Sequence, residues 1–140
     1  ARTYPFTSLR PGQRARPLLP VTVENPDTGE RLRTLALIDT GADECALPAS
    51  LAGRLGHRIE RGTPKTVATA GGEITAYSHT ARILVDGLAT FEATVDFIPR
   101  LGTPLLAVNS FLSKVILTVD YPAQTFTLSM TAVQQAESSP

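Results

Sequence analysis

Carboxylate, hydroxyl and glycine stand in a row at Asp39-Thr40-Gly41, directly after the apolar run Leu35-Ala36-Leu37-Ile38. An apolar run with strand character therefore ends on an acid just where the chain must turn. Asp is depleted from strands, and an ionised carboxylate beside Leu37 and Ile38 loses hydration, so something has to compensate its charge. A carboxylate on a rigid stem at a loop tip holds or releases a proton according to what that compensating group is. The same triplet occurs at Asp27-Thr28-Gly29, between Asn25-Pro26 and Glu30. There the context is polar, and Asp and Gly are what a hairpin turn requires. Cys45 reads as a small buried hydrophobe, since no histidine stands near it in sequence. His57 at a polar helix end and His79 on a strand face carry no catalytic assignment.

The elements that must position Asp39 are short strands. Val21 to Glu24 and Arg31 to Ile38 flank the turn at Asn25 to Gly29 and form a hairpin. Cys45-Ala46-Leu47 returns briefly to strand before Pro48. A short helix is expected over Ala49 to Leu55, stopped by Gly56. Lys65 to Thr69 and Ile74 to Val85 are strands around Ala70-Gly71-Gly72-Glu73. Asp86-Gly87 joins the second of these to Leu88 to Ile98 and is the strongest hairpin signal in the chain. A buried run, Leu105 to Val108, precedes a possible helical turn at Asn109 to Ser113. Two last strands, Val115 to Asp120 and Thr125 to Met130, enclose a turn. Many short strands with turns between them indicate an all-β closed barrel or sheet with one or two short helices and one lobe per chain.

At 140 residues the chain has the size of one domain. Thirteen basic residues balance thirteen acidic ones, so no general field for polyanions or membrane surfaces exists. Residues 1–20 are the exception, an extended arm rich in Pro and Arg; residues 21–130 form the domain, and residues 131–140 a flexible tail. The arm reads as a plain linker rather than a nucleic-acid patch, because aromatic residues stop at Tyr4 and Phe6. A single cysteine excludes an internal disulfide and a cysteine-based metal site. Two unclustered histidines argue against zinc. No metal or other cofactor is expected, and no run approaches the ~20 apolar residues that span a bilayer. Without a secretory segment or disulfides in this window, a cytoplasmic setting is favoured.

The run Leu37-Ile38-Asp39-Thr40-Gly41-Ala42-Asp43-Glu44 resembles the active-site loop of retropepsin-like aspartic proteases. Ala70-Gly71-Gly72-Glu73 is similar to the tip of the family's flap, and Leu105-Leu106-Ala107 with the following Val108 to Leu112 to its paired-apolar segment and short helix. Ala107 stands where the family has glycine. The resemblance covers roughly residues 20–130. It implies a peptide hydrolase that uses two carboxylates sharing one proton to drive water onto a peptide carbonyl. Asp39 would be catalytic, Thr40 would hold paired loops together, and Gly41 would admit water and substrate. Ala42, Asp43 and Glu44 would contact substrate from the loop, and Ala70, Gly71, Gly72, Glu73 and Ile74 from the flap.

With that reading a count decides the assembly. One Asp39 per chain is half a dyad, and the hairpin at Asp27 cannot build a second lobe, so the resemblance implies a homodimer acting on peptides or proteins. Thr125 to Met130 and the arm are the edges available for joining subunits, and Leu47, Ile74 and Leu105 would give the cleft apolar walls. Two other readings stay open: a weak or inactive peptide-binding or dimerisation module of the same fold, and nucleic-acid attachment through the arginine arm.

Overall fold

The computed structural model describes residues 1–130; the expected tail, 131–140, lies outside the described residues. Ten strands carry the fold: β1 (Arg2–Pro5), β2 (Leu18–Glu24), β3 (Arg31–Ile38), β4 (Cys45–Pro48), β5 (Thr63–Thr69), β6 (Gly72–Val85), β7 (Ala89–Ile98), β8 (Leu105–Leu106), β9 (Ile116–Asp120) and β10 (Thr125–Ser129). The period-2 pattern is clearest in β7, where Phe91, Ala93, Val95 and Phe97 are buried while Glu92 and Thr94 face water. Their partners in the core include Phe111 and Phe126, both fully enclosed, and Phe91 and Phe111 meet at a ring separation of 4.7 Å.

The large sheet runs β2-β3-β8-β4-β7-β6-β5, and β2 also pairs with β6 through Thr22 to Glu24. That second pairing closes six strands into a barrel, as expected of an all-β chain, and leaves β5 as an extension of β6. At the seam Glu24 lies opposite Arg82 and is almost wholly enclosed. Its carboxylate accepts from Arg31 Nε at 2.7 Å and from Arg82 Nη1 at 3.2 Å. A smaller sheet, β1-β10-β9, packs its Phe126 against Tyr4, the rings 5.2 Å apart.

Four local expectations change. Part of the arm is strand: Arg2 to Pro5 pairs with Leu128 to Thr125, and β2 begins at Leu18. Pro20 is tolerated inside β2 because the second neighbour, β6, reaches only Thr22 to Glu24. The helix over Ala49 to Leu55 is two separate 3-10 turns, Ala49–Leu51 and Gly53–Leu55. Seven residues without a side-chain cap are too few to propagate an α-helix, although Gly56 does stop the segment, at a φ of 74°. Further 3-10 turns occupy Ile59–Arg61, which was not expected, and Leu112–Lys114, slightly beyond the expected turn. Finally, β10 is paired on both sides within its own chain, so among the described residues the free edges of the small sheet are β1 and β9. No helix among the described residues is long and apolar enough to cross a membrane.

Candidate active site

Consecutive strands β3 and β4 do not pair with each other. β8 lies between them, parallel to β3 at Leu37↔Leu105 and Ile38↔Leu106, and bridged to β4 at Ala46↔Leu105. The connection from Asp39 to Glu44 must therefore arch over β8, and it is bonded to that segment along its length. Asp39 N–H donates to Leu106 C=O at 3.0 Å, Val108 N–H to Ala42 C=O at 3.1 Å, and Asn109 N–H to Asp43 C=O at 2.8 Å. Beneath the arch Cys45 is enclosed, with Ala107 N–H donating to its sulfur at 3.3 Å. Burial pushes the thiol's pKa up. Ala107 itself is fully buried, so its methyl group is part of this packing.

At the tip, Gly41 N–H donates to Asp39 Oδ1 at 3.0 Å, which fixes one face of the carboxylate by a hydrogen bond from its own loop. A methyl group added at Gly41 would stand 3.4 Å from that oxygen, an ordinary contact, so this chain alone does not require a glycine there. Asp39 is half-buried and Thr40 exposed. Both line a cleft of about 400 Å³ with Phe6, Arg14, Arg16 and Tyr121. Among the described residues Asp39 is the only acid in that lining. Asp27 sits exposed in the β2–β3 turn, its N–H bonded to the buried Asn25 Oδ1 at 2.9 Å. It lies at the far end of β3 from Asp39, about 25 Å away at ~3.3 Å per residue.

The other expected site residues fall into two groups. Ala42 is half-buried against the core and Asp43 is exposed. Glu44 accepts from Asn109 Nδ2 at 2.7 Å, which ties its carboxylate to the arch. Ala70 and Gly71 form the two-residue tip of the β5–β6 hairpin; Gly72 pairs with Thr69, Glu73 with Ala68, and Ile74 with Val67. Ile74 is half-buried and the other four are exposed, and none of the five is in the lining of the Asp39 cleft. Leu47, expected as a cleft wall, is instead enclosed in the barrel core, because β4 is an interior strand.

At the other end of that hairpin a buried carboxylate binds three strands. Asp96 on β7 accepts from Ser78 Oγ on β6 at 2.6 Å and from Lys65 Nζ on β5 at 2.8 Å. His57 and His79 meet nearby against Phe97, their rings 4.9 Å apart. Burial lowers the pKa of His57, whose Nδ1 has no partner among the described residues.

A family model for aspartyl protease matches residues 19–121, which takes in the arch, the hairpin and β8 together. The chain belongs to the aspartyl protease family. Among solved structures this aspartyl protease is similar to a retropepsin-like aspartic protease from Rickettsia conorii, with a TM-score of 0.57 and 22% identity over 77% of this chain and 87% of that one. EIAV protease, solved with an inhibitor, gives a TM-score of 0.48 and 21% identity over 75% and 93% of the two chains. No curated protein matches. The Rickettsia likeness establishes the retropepsin-like fold, as the Asp39 motif implied.

Absent from the expected site were Phe6, Arg14, Arg16 and Tyr121. No local sequence signal placed the first three: Ile38 N–H donates to Pro17 C=O at 3.0 Å, and this long-range bond brings the residues before Pro17 beside Asp39. Tyr121 arrives through the turn between β9 and β10, which nothing local in the sequence connects to the arch.

Proposed function

We propose that this aspartyl protease is a homodimeric endopeptidase whose two Asp39 carboxylates, one from each copy, activate the attacking water. The observation that carries the reading is the lone acid: among the described residues Asp39 stands at a cleft with no second carboxylate in its lining, while Asp27 is committed to a distant turn. Two carboxylates brought within hydrogen-bonding distance cannot both ionise, so one keeps a proton as acid and the other acts as base. The base takes a proton from water as its oxygen attacks the peptide carbonyl while the acid protonates the carbonyl oxygen. The proton taken from water then passes to the peptide nitrogen as the C–N bond breaks, and a hydroxyl of the tetrahedral intermediate returns its proton to the other carboxylate.

The loop suits this role. Asp39 Oδ1 is held by Gly41 N–H, which leaves Oδ2 for a partner or for water. Thr40, exposed at the same mouth, would hydrogen-bond across to the partner's loop. Because the space around Gly41 is open within one chain, a requirement for glycine there would come from the second copy and the substrate. Ala42, Asp43 and Glu44 would offer backbone groups to a bound peptide. The β5–β6 hairpin would act as a flap, pairing with an extended peptide as an added strand. The free edges β1 and β9 would join the subunits.

The test is peptide cleavage by the unmodified protein and by Asp39→Asn, between about pH 3 and pH 7 where one shared proton can be held. Cleavage lost in the variant, by a species that sediments as a dimer, is the expected result. No cleavage by the unmodified protein, or equal cleavage by the variant, removes the mechanism and leaves a binding module.

A further inference from the structure

Arg14 and Arg16 line two cavities at once: the Asp39 cleft, and a neighbouring pocket of about 510 Å³ shared with Leu9, Arg10, Gln13 and Thr103. We infer that this arginine pocket is a subsite of the peptide cleft that selects an acidic side chain of the substrate. The inference rests on the peptidase reading above. Three arginines line this pocket, and within one copy of the chain none has an acid within 4.0 Å of its guanidinium among the described residues, in contrast to Arg31, Arg33 and Arg82. Like charges collected without a counter-ion repel each other, and an incoming carboxylate relieves that repulsion while accepting paired N–H donors.

The cluster is built by the fold rather than scattered along a loose arm. Thr7 and Arg16 exchange both backbone hydrogen bonds, at 2.9 and 2.8 Å, and so close the loop between them. Inside it, Ser8 Oγ donates to Gln13 C=O at 2.8 Å and Gln13 N–H to Arg10 C=O at 3.2 Å. Gly12 turns the chain at a φ of 83°. Arg16 is then fixed next to Asp39 by the bond from Ile38 N–H to Pro17 C=O. A peptide reaching Asp39 thus has the pocket beside it.

A peptide acid fits these features better than a nucleic acid. The pocket itself contains no aromatic ring on which a base could stack, Phe6 and Tyr121 lying in the adjoining Asp39 cleft, and the chain has no net charge to gather phosphate along its surface.

The experiment uses the full chain and a set of decapeptides that carry glutamate at each position in turn, each matched to its glutamine twin. The readout is the ratio of kcat/KM for the two twins, in the unmodified protein and in Arg10→Gln/Arg14→Gln. At one position the glutamate twin should be favoured by roughly tenfold in low salt, as expected of a charge-assisted hydrogen bond, with the ratio shrinking in high salt. In the double variant the ratio should fall towards one. Cleavage that depends on Asp39 but shows no glutamate preference, or a preference that the double variant keeps, overturns the subsite and leaves the peptidase standing. If no peptide is cleaved, the peptidase reading fails by itself. Fluorescence anisotropy of labelled twins then decides the pocket: equal binding of both overturns it, and tighter glutamate binding lost in the variant supports it. Retention of single-stranded DNA with no glutamate preference would assign the arginines to phosphate, and loss of the dimer in the variant would assign them to a second copy; either overturns the proposal.

Discussion

Replacing Lys65 by methionine should cost this protein much more than a surface charge change normally does. Asp96 is 4% exposed and has two partners, Ser78 Oγ at 2.6 Å and Lys65 Nζ at 2.8 Å. Lys65→Met keeps the apolar stem but removes the only cation paired with Asp96 among the described residues, leaving an enclosed carboxylate with one hydroxyl. Breaking a buried pair from one side costs about 3–5 kcal/mol. The lysine side chain is 38% exposed, so water screens the pair and can partly replace the ammonium. The discounted expectation is about 1.5–3 kcal/mol. For a chain of this size that is a fall of roughly 5–10 °C in Tm. Urea unfolding at one fixed protein concentration would measure the loss as a shifted midpoint with an unchanged slope. Hydrogen exchange should speed up first on β5, the strand that Lys65 anchors. The double variant Lys65→Met/Asp96→Leu should recover stability, since it removes the stranded charge as well. A loss below about 0.5 kcal/mol for the single variant, or a double variant less stable than the single, would refute the view that Lys65 compensates Asp96.

Gly62→Ala should destabilise by about 1–3 kcal/mol, because the new methyl group would run into the backbone oxygen of Ser78 and the His79 ring; thermal unfolding reads this, and an unchanged Tm would contradict the packing at the hairpin base. The enclosed Cys45 thiol, with its raised pKa, should react with a thiol reagent only as fast as the protein unfolds; rapid labelling of native protein at neutral pH would show the arch to be open. Hydrogen bonds from Arg31 and then Arg82 lower the pKa of Glu24 in the folded state, so its contribution is present above the ordinary glutamate pKa of 4.5 and is lost as pH falls through the lower folded value. In Glu24→Gln the pH dependence of unfolding over that acid window should flatten. Burial lowers the pKa of His57, so the unfolded chain takes up its proton first and stability falls as pH drops below 6.5. His57→Gln should remove that part of the loss in a pH series of urea midpoints.

The legible parts of this molecule were those written into neighbouring residues. β7 announced itself by alternation, the Asp86-Gly87 turn by its residue types, and the Asp39 loop by an acid where an apolar run stops. The chemistry proposed for that loop came from its likeness to a family, since Asp39 alone does not say what shares its charge. What stayed hidden depends on pairs far apart in sequence. The two residues of β8 have no pattern of their own, yet they separate β3 from β4. The arm was obscured by its prolines and arginines: local propensity says little about a segment whose order comes from pairing with β10 and from the Thr7–Arg16 closure. Over Ala49 to Leu55 the helical composition was real but the segment too short, and it settled into two 3-10 turns.

Threading β8 between β3 and β4 also sets a schedule for the molecule's synthesis. The sulfur of Cys45 and the amide of Ala107, bonded beneath the arch, are 62 positions apart. At ribosomal rates of roughly 5–20 residues per second these two positions are made about 3–12 seconds apart. During that interval Asp39 exists without the segment that shapes its loop. Closing so large a loop is among the slower events of folding, because its entropy is lost before its contacts form. A nascent chain of this protease therefore carries Asp39 long before it carries the arch that holds it.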